Sequence, residues 1–367
     1  TSMALTTVRP QGMGFNTGRR NMVINGAMQV AQRGTSSTGL HTSGYYTTDR
    51  FSLVFGNEDE LRVTMTQNSV TDLPGFANSL KVQTTTAESA IAADESYYII
   101  NRYEGQDFQH LKYGTSSAES TTLSFYVKSS VTGTFAVAIY QTDGNDIIGS
   151  TYTINSADTW ERKTITFAGN TLAAIVDDNT NAIMIDWFLA AGSNFTSVNN
   201  TSWGGYETGK LAYGHGTNAV ATTTNATWEM TGVQWELGEN VSDFEHRSYG
   251  EELALCQRYY QISGSSVTNN YHVFPAQRWN ATGVFFSVPI TTSMRATPTL
   301  GSDTGSNFGY LSGNNQSYSF ALSEMTFINL DPSSITARVT VDFTPNNQYA
   351  YSGYFNAGGE LQLDAEL

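Results

Sequence analysis

Apolar side chains recur at alternate positions in short runs along most of the chain, and each run is closed by Gly, Asn, Asp or Ser. A two-residue period puts one face of a segment in a core and the other in water, the pattern of half-buried antiparallel strands. Residues 46–55 carry Phe51, Leu53 and Phe55, residues 60–67 carry Leu61, Val63 and Met65, and runs at 79–84 and 97–103 follow. The clearest pair is 121–128, with Leu123, Phe125 and Val127, and 134–141, with Phe135, Val137 and Ile139. The connector 129–133 has the length of a hairpin loop. Residues 160–167 alternate again, 182–189 are apolar almost throughout and read as a buried central strand. Residues 228–237 close the series, with Met230, Gly232, Gln234 and Glu236 predicted on one face. Such a succession predicts a mostly β fold built on a sandwich.

One helix interrupts it. Ser248 followed by Glu251 has the form of a capping box, and Leu253, Cys256 and Tyr260 recur at helical spacing. The pattern predicts a helix over 249–261. Strand signals then resume: 282–290 alternate around Val284, Phe286 and Val288, and 335–343 around Ile335, Ala337, Val339, Val341 and Phe343. Pro298 sets a turn at 294–299. The division expected is an N-terminal segment 1–22, a sandwich 23–238, a linker and helix 239–261, and a second β-rich tip domain 262–367.

Composition narrows the class. Charged residues are 14%, against about 25% in ordinary domains, too few for a coiled coil or a charged disordered chain. A single cysteine excludes a disulfide framework and a cysteine-rich zinc site. No apolar run is long enough to span a membrane, and the start lacks the layout of a signal peptide. Overall acidity argues against nucleic acid as a partner. The −15 total splits into +4 over residues 1–48 and −19 over the rest. Arg9, Arg19 and Arg20 stand in a glycine-containing stretch without periodicity. They are candidates to dock on a complementary surface, although four arginines in 48 residues are also unexceptional.

Residues 21–35 (NMVINGAMQVAQRGT) and 46–51 (YTTDRF) resemble the start of many tailed-phage fibre and appendage proteins. Residues 232–238 (GVQWELG) and 244–261 (FEHRSYGEELALCQRYYQ) resemble the joint in such proteins between a sandwich module and a distal tip, and 294–299 is similar to that tip. The resemblance implies a virion structural protein, commonly a homotrimer, assembled in the host cytoplasm and attached to other virion proteins through its N-terminus. It also implies a galactose-binding-like jelly roll of the carbohydrate-binding-module type for the central module. The role expected is a tail fibre that recognises a bacterial surface glycan. A head decoration, a tail connector or a capsule depolymerase are the alternatives. Leu253, Cys256 and Tyr260 become candidate trimer contacts.

Catalytic patterns are weak. His41, His110, His215, His246 and His272 form no HExxH and no close pair, and no nucleophile elbow or P-loop occurs. Acidic pairs such as Glu58/Asp59, Asp94/Glu95 and Asp177/Asp178 read as solvated loop charges. A glycosidase needs two carboxyls facing each other across a substrate, which adjacency does not supply. Asp143, Asn145 and Asp146 lack the spacing of an EF-hand and read as a turn. Neither cofactor, metal nor enzymatic activity is expected. Sugar binding is chemically better supplied, because a pyranose offers an apolar face to an aromatic ring and hydroxyls to polar side chains. Trp203, Tyr206 and Tyr213 lie among glycines at 202–215, and Trp279, Tyr310 and Tyr351 are counterparts in the tip. The competing reading is that these rings pack in cores or contacts between subunits.

Overall fold

The computed structural model describes residues 20–57, 59–264, 273–280, 283–288, 290–302, 309–313, 316–320, 325–340, 351–355 and 360–367. Its strands in chain order begin with β1 (Ser36–Leu40), β2 (Gly44–Tyr45), β3 (Phe51–Gly56), β4 (Arg62–Ser69), β5 (Asn78–Thr86) and β6 (Ser96–Glu104). There follow β7 (Thr121–Ser129), β8 (Gly133–Gln141), β9 (Asp146–Ile154), β10 (Glu161–Phe167), β11 (Asn181–Ala191), β12 (Gly204–Gly205) and β13 (Thr227–Leu237). They form two antiparallel sheets, β1-β4-β5-β13-β7-β10 and β12-β9-β8-β11-β6-β3-β2, stacked as a jelly-roll sandwich. The predicted alternation is what fills the space between them. Leu123, Phe125 and Val127 of β7 face Phe135, Val137 and Ile139 of β8, with Trp187, Trp228 and Trp235 fully buried beside them. Each such side chain removed from water contributes about 1.5–3 kcal/mol.

Two local expectations are corrected. The alternating runs β7 and β8 do not form a hairpin: β7 pairs with β13 and β10, and β8 with β9 and β11, in the opposite sheet. Their connector crosses from one sheet to the other because Ser129 and Ser130 are tied to Thr227 of β13. The tight turn lies instead between β8 and β9, at Asn145. Strand β13 also changes face midway. Its register shifts between Thr231 and Gln234, so Trp228 and Met230 are buried on one side of the shift, and Val233 and Trp235 on the other. Gly232, at φ 61°, carries the bulge, and a Cβ there would strike Phe76 and Tyr126.

The helix is α1 (Tyr249–Gln257), capped by Ser248, whose hydroxyl accepts from Glu251 N at 3.3 Å. It ends earlier than its periodicity predicts because Tyr260 onward is drawn into a strand. The tip comprises β14 (Tyr260–Gly264), β15 (Val273–Asn280), β16 (Gly283–Val288), β17 (Thr299–Ser302), β18 (Gly309–Gly313) and β19 (Gln316–Phe320). It is completed by β20 (Met325–Leu330), β21 (Ile335–Thr340), β22 (Tyr351–Phe355) and β23 (Glu360–Asp364). A three-stranded sheet, β14-β23-β17, packs on a seven-stranded one, β19-β18-β22-β15-β16-β21-β20. The predicted alternations place Val284, Phe286, Val288, Ile335, Ala337 and Val339 in the core between them.

Sandwich, helix and tip are tied together by polar contacts, several of them buried, beside the buried side chains of Cys256, Tyr259 and Tyr260. Asn21 donates from Nδ2 to Val233 O (3.0 Å), and its Oδ1 accepts from Trp235 N (3.2 Å). Its backbone N–H donates to Glu245 (2.7 Å). The Asn25 N–H donates to Glu252 of α1, which also pairs with Arg247 (3.2 Å), and Arg247 donates to the carbonyls of Val23 and Asn21. Gly26 passes so close that a Cβ would lie 2.1 Å from Val233 O. On the far side, Arg33 lies 3.6 Å from the Tyr260 ring centre and pairs with Asp364 (3.0 Å) and Glu366 (3.4 Å). Arg50 lies 3.3 Å from the Tyr259 ring centre and pairs with Glu366. Arg258 grips Glu104 (2.6 Å), and Arg295, from the predicted turn, donates to Ala365 O and Asn179 O (both 2.8 Å).

Two sets of candidate residues bear on this joint. Cys256 and Tyr260 are buried within the one chain, so of the three proposed contacts Leu253 alone keeps a part-exposed side chain. Arg33, one of the four arginines that make the N-terminal stretch basic, is neutralised by the acidic C-terminus. Arg20 is exposed, and Arg9 and Arg19 lie outside the described residues.

Candidate functional site

The chain between β11 and β13 folds back over one end of the sandwich. Asn200 anchors it by donating to Lys210 O, packed so tightly that a Cβ at Gly149 would meet its amide at 2.0 Å. Strand β12 then adds to the edge of the second sheet, Gly204 opposite Ile147 and Gly205 opposite Asp146. Between β9, the end of β10 and this returning loop lies an open cleft of about 500 Å³, and Trp203 lines it.

Trp203 is half-buried and fixed. Its Nε1 donates to Ala168 O at 2.6 Å, and its ring meets Tyr113 edge-on, at 71° and 5.7 Å. The opposite wall, residues 168–172, is equally constrained. Buried Asn170 donates from Nδ2 to Gln141 (2.7 Å) and Asp146 (3.0 Å), while its Oδ1 accepts from Leu172 N (2.9 Å). Gln141 in turn donates to the carbonyls of Ala173 and Ala174. Those bonds hold Leu172 at the cleft with 59% of its surface exposed. The remaining lining is Ile148, Phe167, Ala168, two glycines and the hydroxyl residues Ser150, Thr166, Thr171, Thr201 and Ser202; among the described residues no ionisable side chain lines it. A fixed indole, a leucine and several hydroxyls suit an uncharged polyol with one apolar face.

Tyr206 lies on the other flank of β12. Its ring is 5.0 Å from that of Tyr140, whose hydroxyl donates to Asn145 Oδ1 (2.7 Å). Partial burial holds the Tyr140 hydroxyl above its ordinary range, so it remains a donor. Tyr213 is half-buried and does not line the cleft. His215 accepts from Ala136 N (3.2 Å) and packs edge-on against Phe135, and burial lowers it to about 4, which keeps it neutral. The structure thus places Trp203 and Tyr206 at the two ends of β12 and leaves Tyr213 apart. Trp279, Tyr310 and Tyr351 stand on β15, β18 and β22, and their side chains lie outside the described residues.

The acidic candidates are occupied in turns. Asp143 accepts from Val176 N (2.8 Å), Asp178 from Thr180 N (2.8 Å), and Glu95 from Ala92 N (2.6 Å). Among the described residues no three His, Cys, Asp or Glu side chains gather as metal ligands would. His246 meets Phe76 at a tilt (5.3 Å, 40°) and Phe244 edge-on (4.8 Å, 73°), a structural cluster that pins the linker. Sequence reasoning passed over Leu172, Asn170 and Tyr140. The recoverable signal was Leu172 itself, an isolated leucine in a polar stretch (AGNTLAA).

No family model matches this chain, and no curated protein does. Solved structures with a measure of likeness include the enzymatically active domain of bacteriophage CBA120 tailspike protein 4, with 13% identity and a TM-score of 0.31. That match covers 59% of this chain and 21% of the tailspike chain, so this chain spans about a fifth of it. A putative sugar binding protein from Bacteroides thetaiotaomicron matches with 12% identity and a TM-score of 0.33, over 59% of this chain and 100% of its own. The family 11 carbohydrate-binding module of a Clostridium thermocellum cellulosomal cellulase matches with 12% identity and a TM-score of 0.27, over 57% and 100%. At such values no site and no ligand passes from those proteins to this one.

Proposed function

We propose that this chain is a glycan-binding protein of a tailed-phage particle, a tail fibre that holds uncharged bacterial surface sugars in the Trp203 cleft. The observation that carries the binding reading is the cleft's lining: a fixed indole and an exposed leucine among hydroxyls, with no carboxylate to act as acid, base or nucleophile. That supports binding over cleavage. The placement on a phage particle rests on the resemblance of residues 21–35, 46–51, 232–238 and 244–261. Its support is that these stretches interlock in one joint, through Asn21, Asn25, Glu245, Arg247 and Glu252. As a homotrimer the fibre would multiply weak contacts, since linked sites raise avidity by about 10²–10⁴ without new contacts.

The test is binding to immobilised dextran, mannan, galactan and bacterial O-polysaccharide. Trp203→Ala should weaken the retained interaction at least about tenfold, equivalent to roughly 1.4 kcal/mol. Because Trp203 also packs inward, Leu172→Asp serves as a second variant. It changes an exposed side chain, should leave the melting temperature alone, and should weaken binding similarly. A protein that holds none of these polysaccharides, or variants that hold them as well as the parent, would overturn the reading. Light scattering giving three times the chain mass would support the trimer, and a stable monomer would remove it.

A further inference from the structure

We infer that the ligand is an oligosaccharide chain that runs out of the Trp203 cleft, across the bare backbone of β12, to the Tyr206–Tyr140 pair. This rests on the cleft being a glycan site. Two glycines of β12 are not required by the surrounding packing. Gly205 has no atom within 4 Å of where a Cβ would stand, and its φ is outside the left-handed region. Gly204 would meet nothing closer than the flexible end of Lys210, at 3.4 Å. Neighbouring glycines differ: a Cβ at Gly209 would strike Ser197 at 2.5 Å, and one at Gly192 would lie 1.9 Å from Ala92 O. Crowding explains those, whereas Gly204 and Gly205 leave a smooth strip on an edge strand, where glycine otherwise weakens pairing.

A ring stands at each end of that strip. Trp203 and Tyr206 are three residues apart, so in extended chain their Cα atoms are separated by roughly 10 Å. Trp203 lines the cleft and Tyr206 does not, and the two glycines of β12 lie between them. One sugar cannot touch both; a short run of linked pyranoses crossing the edge can. Lys210 borders the strip: its ammonium donates to Gly205 O (2.7 Å) and pairs with Glu207 (3.0 Å), which offsets its charge beside a neutral ligand. Tyr140 and Asn145 add a hydroxyl and an amide at the far end.

Calorimetric titration with size-graded hydrolysates of the same neutral polysaccharides, from single sugars to about hexamers, tests this. Affinity should rise at least tenfold from monomer to tetramer. Gly205→Val and Tyr206→Ala should cut the tetramer to the monomer's affinity and leave the monomer unchanged. Gly205→Val should keep the parental melting temperature, since valine suits a strand and meets nothing there. Affinity that is flat with length, or insensitive to both variants while Trp203→Ala still abolishes binding, would overturn the inference and leave a single-sugar site standing. Binding untouched by Trp203→Ala would instead remove the glycan cleft, and this inference with it.

Discussion

Glu366→Gln should cost the folded chain about 3–5 kcal/mol, because it leaves the Arg50 guanidinium as a buried cation without its counter-ion. Arg50 is 1% exposed and Glu366 has a side chain 5% exposed, so water cannot replace either partner. The remaining contacts of Arg50 are to Arg102 O (2.6 Å) and the face of the Tyr259 ring, and neither carries a full negative charge. Arg33 is less exposed to loss, since Asp49 (3.9 Å) and Asp364 (3.0 Å) still face it. Arg50→Met should cost less, because the Glu366 carboxylate keeps its pair with Arg33 (3.4 Å). The double variant should lose less than the two together, with a coupling on the order of 2 kcal/mol. Added salt should change these differences little, since buried pairs are poorly screened. Urea denaturation followed by tryptophan fluorescence reads the loss. A cost below about 1 kcal/mol would mean that the pair is solvated and that the C-terminus does not hold the tip to the sandwich.

That joint also marks where the sequence was legible and where it was not. Period-2 alternation located β7, β8, β10 and β13 to within a residue or two, since burying one face against water writes itself into adjacent residues. Pairing is not written that way. A three-residue connector, 130–132, joins β7 to β8 with the look of a hairpin, yet Ser129 and Ser130 are tied to distant Thr227 and β8 lies in the other sheet. The bulge at Gly232 was visible as a glycine inside a strand, but its consequence depends on Phe76, which arrives from another loop. Polar contacts across more than 200 residues, such as Asn21 with Glu245 or Gln32 with Tyr260 O, leave no local period at all. The cleft lies between these cases. Its tryptophan was recognisable by type and company, whereas its walls are assembled from β9, the end of β10 and two loops.

Strand β11 carried a further signal that its apolar character concealed, and it sets the pH dependence of stability. Asp186 stands in the middle of AIMIDWFLA, opposite Ile100 and Ala138, on the face away from Ile185 and Trp187. It is 2% exposed, and its Oδ1 has no hydrogen-bond partner. Burial pushes its carboxyl up to about 7 from an ordinary 3.8, while nearby Arg102 acts in the opposite direction. Below about pH 4 the group is neutral in folded and unfolded chains alike, and it adds no pH dependence. Between pH 4 and 7 the unfolded chain releases this proton and the folded chain keeps it, so stability falls as pH rises, by about 1.4 kcal/mol per unit. Above pH 7 the whole penalty is present. Asp186→Asn removes the titration, so its stability relative to the parent should improve by on the order of 4 kcal/mol between pH 4 and pH 8. Asp49, raised by burial to about 6, and His215, lowered by burial to about 4, also tilt the absolute curves. Both are present in parent and variant, and they cancel in the difference. Urea unfolding at pH 4, 6 and 8 measures it, and a difference constant to within about 0.5 kcal/mol would show that Asp186 is ionised and solvated in the folded chain.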